Sequence, residues 1–278
     1  MKQKPISQLI QFSLINIDKP AGPTSFQISQ YIKQQLNINK TSHMGTLDPQ
    51  VTGVLPVTLG RACKLSEYFM HKDKKYVGIM RIHEDLPITK LKTLMKEFTG
   101  KITQLPPVKS RVKRAFRERE VKQFELLEKK GKDVLFIADV EAGTYIRKLC
   151  SDLGEKIGGA HMLELRRVKA SIFSETDDNF VNLYDFEKAA KEYNEGNEIP
   201  LRKMLVPAEQ AIQKVLPVVG ISGENMKQIL TGKPLMECDF LEPLGEDLFA
   251  AFYEDKFIGV YKKVKEKDIV ARAEFVYN

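Results

Sequence analysis

Cysteine is scarce: Cys63, Cys150 and Cys238 are the only three among 278 residues, far apart and with no Cys-x-x-Cys pair. An odd, sparse set argues against a disulfide scaffold or a zinc cage and suits a reducing compartment. The four histidines, His43, His71, His83 and His161, show no ligand spacing with Asp, Glu or Cys, so no metal is expected. No apolar run approaches the ~18 residues of a membrane span. The opening MKQKPISQLIQFSLINI is broken by Gln8, Gln11, Ser13 and Asn16, which makes a poor signal peptide. A cytoplasmic protein without membrane contact is the expectation. Gly-x-x-x-x-Gly-Lys-Ser/Thr, His-Glu-x-x-His and Gly-x-Ser-x-Gly are also missing, and with them the usual signs of nucleotide hydrolysis, zincin proteolysis and the hydrolase elbow. There are no repeats and no low-complexity tracts.

Positive charge is present in excess, and unevenly. The net charge is +7, yet the stretch from Leu205 to Asn278 holds nine Lys/Arg against twelve Asp/Glu, a balance of −3 that leaves +10 on the first 204 residues. A polyanion surface is therefore expected on the larger part. Its densest block is KSRVKRAFRER, with Lys109, Arg111, Lys113, Arg114, Arg117 and Arg119. Such a run is more often a solvated face than a binding site. Here the alternation of Lys109, Arg111 and Lys113 behind Pro106-Pro107 suggests an extended arm with one basic face, suited to RNA or DNA phosphates.

The pattern along the chain is α+β, and its length allows two domains. FSLINIDKP reads as a strand. TSFQISQYIKQQL offers Thr24 or Ser25 as an N-cap and Phe26, Ile28, Tyr31, Ile32 and Leu36 as a buried face. KYVGIMRIH reads as a strand, TKLKTLMKEFTG as a helix, VKQFELLEKKGKDVLFIADVEAG as a hairpin, and TYIRKLCSDLGEKIG as a helix with apolar residues at helical spacing. YNEGNEIPLRK turns polar and irregular and reads as a linker. Beyond it LFAAFYEDKFIGVYKKV forms a hairpin in a small β-rich module.

The stretch KTSHMGTLDPQVTGVLPVTLG, Lys40 to Gly60, admits two readings. Asp48-Pro49 is good turn chemistry, and Gly45 and Gly53 mark backbone that needs positive φ or close approach. An Asp in a turn is usually only that; the alternative is a carboxylate held at the mouth of a site.

HMGTLDPQVTGVLPVTLGRACKL resembles the catalytic motif of the TruB-type pseudouridine synthases. INIDKPAGPTS resembles the family's opening motif, KKY (Lys74–Tyr76) its tyrosine motif, PPVKSRVK its proline-and-lysine motif, and AGTYIRKLCSDLGEKIGGAHMLELRR its arginine helix. All five stand in the family order across roughly residues 14 to 173. The short spacing from Tyr76 to Arg147 is similar to the archaeal and eukaryotic dyskerin-type branch, whereas the short tail resembles bacterial TruB as much as a full PUA domain. Arg111 stands where the family usually has Ala, and Ser171 where it usually has Gly.

The resemblance implies a mixed central sheet flanked by helices, a catalytic domain over residues 1–198 and a small PUA-like RNA-binding module over residues 205–278. It implies an isomerase that converts uridine to pseudouridine without a cofactor. Asp48 would be the catalytic carboxylate, kept ionised in a largely dry pocket by Arg147, and Tyr76 would stack on the uracil and shuttle a proton. Tyr145 would wall the pocket, His43 would help take the uridine out of its stack, and Lys19 and Lys113 match positions that support the site and the RNA backbone. Read alone, Arg147 is a surface cation on an amphipathic helix and Tyr76 a core residue. The implied substrate is the T-loop uridine of tRNA. The alternatives are the catalytic subunit of a box H/ACA particle, with guide RNA and small ribonucleoprotein proteins as partners, or a catalytically idle RNA-binding protein.

Overall fold

A computed structural model describes residues 4–106 and 113–278. The elements run α1 (Ile6–Gln11), β1 (Phe12–Lys19), α2 (Ser25–Gln35), β2 (Thr41–His43), β3 (Thr52–Gly60), α3 (Ser66–Met70), β4 (Lys74–Ile82) and α4 (Ile88–Lys96). Next come β5 (Gly100–Gln104), β6 (Arg117–Lys130), β7 (Asp133–Val140), α5 (Ile146–Glu155), β8 (Ala160–Ala170), β9 (Phe173–Ser174) and β10 (Phe180–Asn182). The chain ends with α6 (Leu183–Asn194), α7 (Ile199–Met204), β11 (Leu205–Pro207), α8 (Ala208–Ile212), β12 (Val218–Gly220), α9 (Met226–Ile229), β13 (Leu248–Tyr253), β14 (Lys256–Lys263) and β15 (Ala271–Val276).

Among the described residues the larger sheet runs β10-β1-β3-β8-β4-β7-β6-β5, with short β11, β2 and β9 joined to β1, β3 and β8. It mixes parallel pairs (β1 with β10, β3 with β8) and antiparallel ones, as the expected mixed sheet requires. Phe12 to Ile17 of β1 are all buried, because this strand lies deep in the sheet with packing on both faces. β7 instead alternates strictly, the period-2 pattern of a half-covered sheet. In α2, Thr24 is the N-cap: its Oγ1 accepts from Gln27 N, and Gln27 Oε1 accepts from Thr24 N. Ile28 and Ile32 of this helix and its C-cap Leu36 pack inward.

Two local expectations need correction. Phe26 is 62% exposed, because two residues before Ile28 along a helix of 3.6 residues per turn is nearly the opposite side. The expected linker is largely helical: α6 continues to Asn194, Gly196 breaks it at φ 100°, and α7 starts again at Ile199. Its polar letters are the outer faces of helices that bury Phe186, Ala189, Ala190 and Leu201.

Backbone pairing with the large sheet extends to Pro207, through β11 against β1. The four-stranded sheet β12-β13-β14-β15 then follows. It is joined to the larger body by a common core in which Phe12, Leu14, Val54 and Phe69 meet Phe252, Phe257 and Val260. Phe12 stacks on Tyr277 at 3.9 Å and on Phe257 at 5.8 Å between ring centroids. Phe257→Ala is expected to cost about 3–5 kcal/mol of stability and to lower the melting temperature of the whole chain. A separate early transition of the small sheet in calorimetry, with the rest unmoved, would count against this shared core.

Candidate active site

The loop between β2 and β3 carries Asp48, and buried groups hold it from below. Lys19, fully buried on β1, donates from Nζ to the carbonyls of Pro20, Pro49 and Val51, each at 2.9 Å. Ser25 at the start of α2 donates to Leu47 O at 3.2 Å and accepts from Leu47 N at 2.8 Å. Arg167 on β8 donates from Nε to Val54 O at 2.8 Å and from Nη2 to Gly45 O at 3.0 Å. Gly45 and Gly53 take φ 94° and 99°. A Cβ on Gly53 would lie 2.3 Å from Arg167 O, so this position requires glycine on both counts.

A β-bulge brings Arg167 there. Lys75 pairs with Lys169 but Tyr76 pairs with Arg167, leaving Val168 extra, and such a bulge re-aims the neighbouring side chains. Tyr76 is largely buried on β4 and is the ladder partner of Arg167. Burial pushes Arg167 below its ordinary value, and Tyr76 works against that push.

Its charge spreads to its neighbours. Burial, and then repulsion from Arg167, lowers Lys19 and His43, which favours a neutral imidazole. His43 lies in β2 with Nε2 3.2 Å from Thr46 Oγ1. The same two causes push Lys74 down to about 8. A lysine depressed on folding binds fewer protons than its unfolded counterpart above that value. The contribution of this lysine to stability should therefore rise between pH 8 and about 10, against that of the buried Cys150 thiol, which burial pushes up to about 12. Over that interval the melting temperature of Lys74→Met should change less favourably with pH than that of wild type.

Arg147 enters from the first turn of α5. Gln104, buried at the end of β5, sets this turn: Tyr145 N donates to Gln104 Oε1 at 3.0 Å, and Gln104 Nε2 donates to Tyr145 O at 3.3 Å. Arg147 Nη2 then donates to Asp48 Oδ2. Their side chains remain 52% and 55% exposed, so the pair stands in an open cleft rather than the dry pocket expected from sequence. An exposed pair contributes about 0–1 kcal/mol to stability, so folding alone gives little reason for it. Beside it a cavity of about 560 Å³ lies among Thr103, Leu105, Arg114, Phe116, Arg147 and Met162. Lys113 is exposed next to Arg114, whereas Lys109 and Arg111 lie outside the described residues. The structure thus joins Asp48 to Arg147 and places Arg167 behind both Tyr76 and the Asp48 loop. Lys19 is sealed beneath that loop.

A model described as TruB family pseudouridylate synthase (N terminal domain) matches residues 33–146, and one described as tRNA pseudouridylate synthase B C-terminal domain matches residues 147–213. A Thermococcus kodakarensis protein named "Probable tRNA pseudouridine synthase B" is 44% identical over 84% of this chain and 69% of its own. A Pyrococcus abyssi protein of the same name is 44% identical over 84% and 70%. The chain belongs to the TruB family of pseudouridine synthases. Family enzymes of this kind are isomerases. Among solved structures, a chain of a Cbf5-Nop10-Gar1 complex superposes with a TM-score of 0.90 at 38% identity, covering 99% of this chain and 88% of that one. A chain of an H/ACA RNP bound to a substrate RNA containing 2′-deoxyuridine gives 0.88 at 36% identity, covering 100% and 88%.

Arg167 and Gln104 were not singled out from sequence. Arg167 stood in the quoted ELRR as part of the arginine helix, but α5 ends at Glu155 and this segment is strand β8. Nothing in its letters separates a buried arginine from the surface cations around it. Gln104 lies in a plain ITQL stretch with no chemical signature at all.

Proposed function

We propose that this TruB-family chain converts the T-loop uridine of tRNA to pseudouridine, with Asp48 as its catalytic carboxylate. The observation that carries this reading is the exposed Asp48–Arg147 pair on a loop held by buried Lys19 and Arg167. In the reaction the N1–C1′ bond breaks and C5 joins C1′; C5 loses a proton and N1 gains one. Asp48 either attacks the nucleotide covalently or stabilises the cationic sugar and takes the proton. Arg147 holds its positive charge against the carboxylate as RNA closes the cleft. Tyr76 lies against the uracil with its hydroxyl near a transferring proton, Tyr145 walls the pocket, and His43 helps extrude the base. Lys19 acts through the loop, and Lys113 meets the RNA backbone. Residues 1–198 form the catalytic part and residues 205–278 a PUA-like RNA-binding module. A reducing cytoplasm suits the three free cysteines; among the described residues no helix is long and apolar enough to cross a membrane.

A second reading is the catalytic subunit of a guide-RNA particle with small partner proteins. It is supported by the likeness to chains of Cbf5 and H/ACA complexes over nearly the whole length. Tyr184 and Ile199, 76% and 62% exposed, offer apolar surface for a partner. Turnover of an isolated T-arm stem-loop by the purified chain tests the choice. Activity there supports the standalone enzyme. Silence there, with activity after box H/ACA guide RNA and its proteins are added, reverses the order.

A further inference from the structure

A second basic recess lies on the far side of the strand that carries Tyr76. In β4, Tyr76 and Lys74 share the buried face, and Lys75 points to the other. Across the strands Lys75 sits between Lys169 of β8 and Asp139 of β7. Two lysines directly opposite each other in a ladder repel, and a single aspartate on one side offsets only part of that. Lys72, Lys74 and Lys214 line the same cavity of about 320 Å³ with His71, and its second carboxylate, Asp73, is already engaged by Lys122. Among the described residues none of Lys72, Lys75, Lys169 and Lys214 makes a salt bridge.

The wall of this recess is also unusual. Ser171 takes a left-handed φ of 57°, which costs a non-glycine residue energy, and its hydroxyl is buried without a hydrogen-bond partner. The site is separate from the Asp48 cleft: Asp48, Tyr76 and Arg147 do not line it. Of its lining residues Lys74 approaches the catalytic loop, with its Cε 3.7 Å from where a Cβ of Gly45 would stand.

We propose that this recess, centred on Lys75, Lys169 and Lys214, binds a backbone phosphate of the RNA substrate outside the segment that enters the Asp48 cleft. Repulsion among these lysines is then relieved only when the polyanion is seated. Because the recess opens where β4 begins, an RNA presenting its uridine to Tyr76 reaches it by passing around that strand end. The proposal rests on the reading of the chain as an RNA-modifying enzyme, and its test keeps the two apart.

The experiment compares wild type with Lys75→Gln/Lys169→Gln/Lys214→Gln. Without RNA, ³¹P line broadening of inorganic pyrophosphate should be seen with wild type and be mostly lost in the variant. With a full-length tRNA transcript, the slope of log K against log salt should fall by roughly 0.7–0.9, the amount of one lost phosphate contact. Turnover at saturating RNA should stay unchanged. The melting temperature should be at or above that of wild type, since a repulsion has been removed. Equal broadening in both proteins, or an unchanged salt slope, overturns the proposal; broadening lost with the slope unchanged assigns the recess to a free phosphate compound instead of RNA. Absence of pseudouridine formation by wild type on any RNA would count against the enzyme reading, while the pyrophosphate comparison still decides the recess.

Discussion

Asp48→Asn is expected to abolish pseudouridine formation while leaving fold and RNA affinity in place. The amide is nearly isosteric but carries no negative charge and cannot serve as nucleophile or base. Loss of such a group lowers turnover by roughly 10⁴- to 10⁶-fold. Stability should change by no more than about 1 kcal/mol, because the ion pair with Arg147 is more than half exposed on both sides. The loop should keep its shape, since Lys19, Ser25 and Arg167 hold it through Pro49, Val51, Leu47 and Gly45 rather than through the carboxylate. Tritium release from uridine labelled at C5 reads the activity and a thermal melt reads the fold. Retained turnover would remove Asp48 from the mechanism.

Arg167→Met should be the most damaging single change near the site, through the scaffold. It leaves the carbonyls of Gly45 and Val54 without their donors, at about 1–3 kcal/mol for each buried unpaired group. A loss of about 3–5 kcal/mol is therefore expected, with turnover falling as the Asp48 loop loosens. Arg167→Lys keeps the charge but has no fork to span both carbonyls, so it should restore little of the loss. A second readout separates charge from packing. Without the guanidinium, His43 should titrate at a higher pH, because one of the two causes depressing it is gone. In Arg167→Lys the imidazole should stay depressed. An unmoved His43 in Arg167→Met, measured by NMR, would mean that the field of Arg167 does not reach the site.

Much of the local structure was legible in the letters. FSLINIDKP, KYVGIMRIH and the hairpin turning at Lys130-Gly131 are strands where apolar residues run or alternate. Thr24 caps its helix because a hydroxyl three residues ahead of Gln27 satisfies free backbone groups. Asp48, with its flanking glycines, was visible because a positive φ and a close backbone approach demand particular residue types. The site's partners were harder to see. The contact of Asp48 with Arg147 spans 99 residues, and no periodicity links residues that far apart; only the family motif suggested it.

Composition misled on charge. Lys19, Lys74 and Arg167 counted toward a polyanion surface, yet all three are buried. A cation can lie inside when carbonyl dipoles receive its N–H groups, and those carbonyls come from turns and strands that meet only in the folded chain. A lysine that grips a loop and a lysine that awaits a phosphate are the same letter. Which is which depends on a single residue of strand register: Val168 bulges out of β8, so Arg167 turns inward beneath Tyr76 while Lys169 lies beside Lys75 on the opposite face.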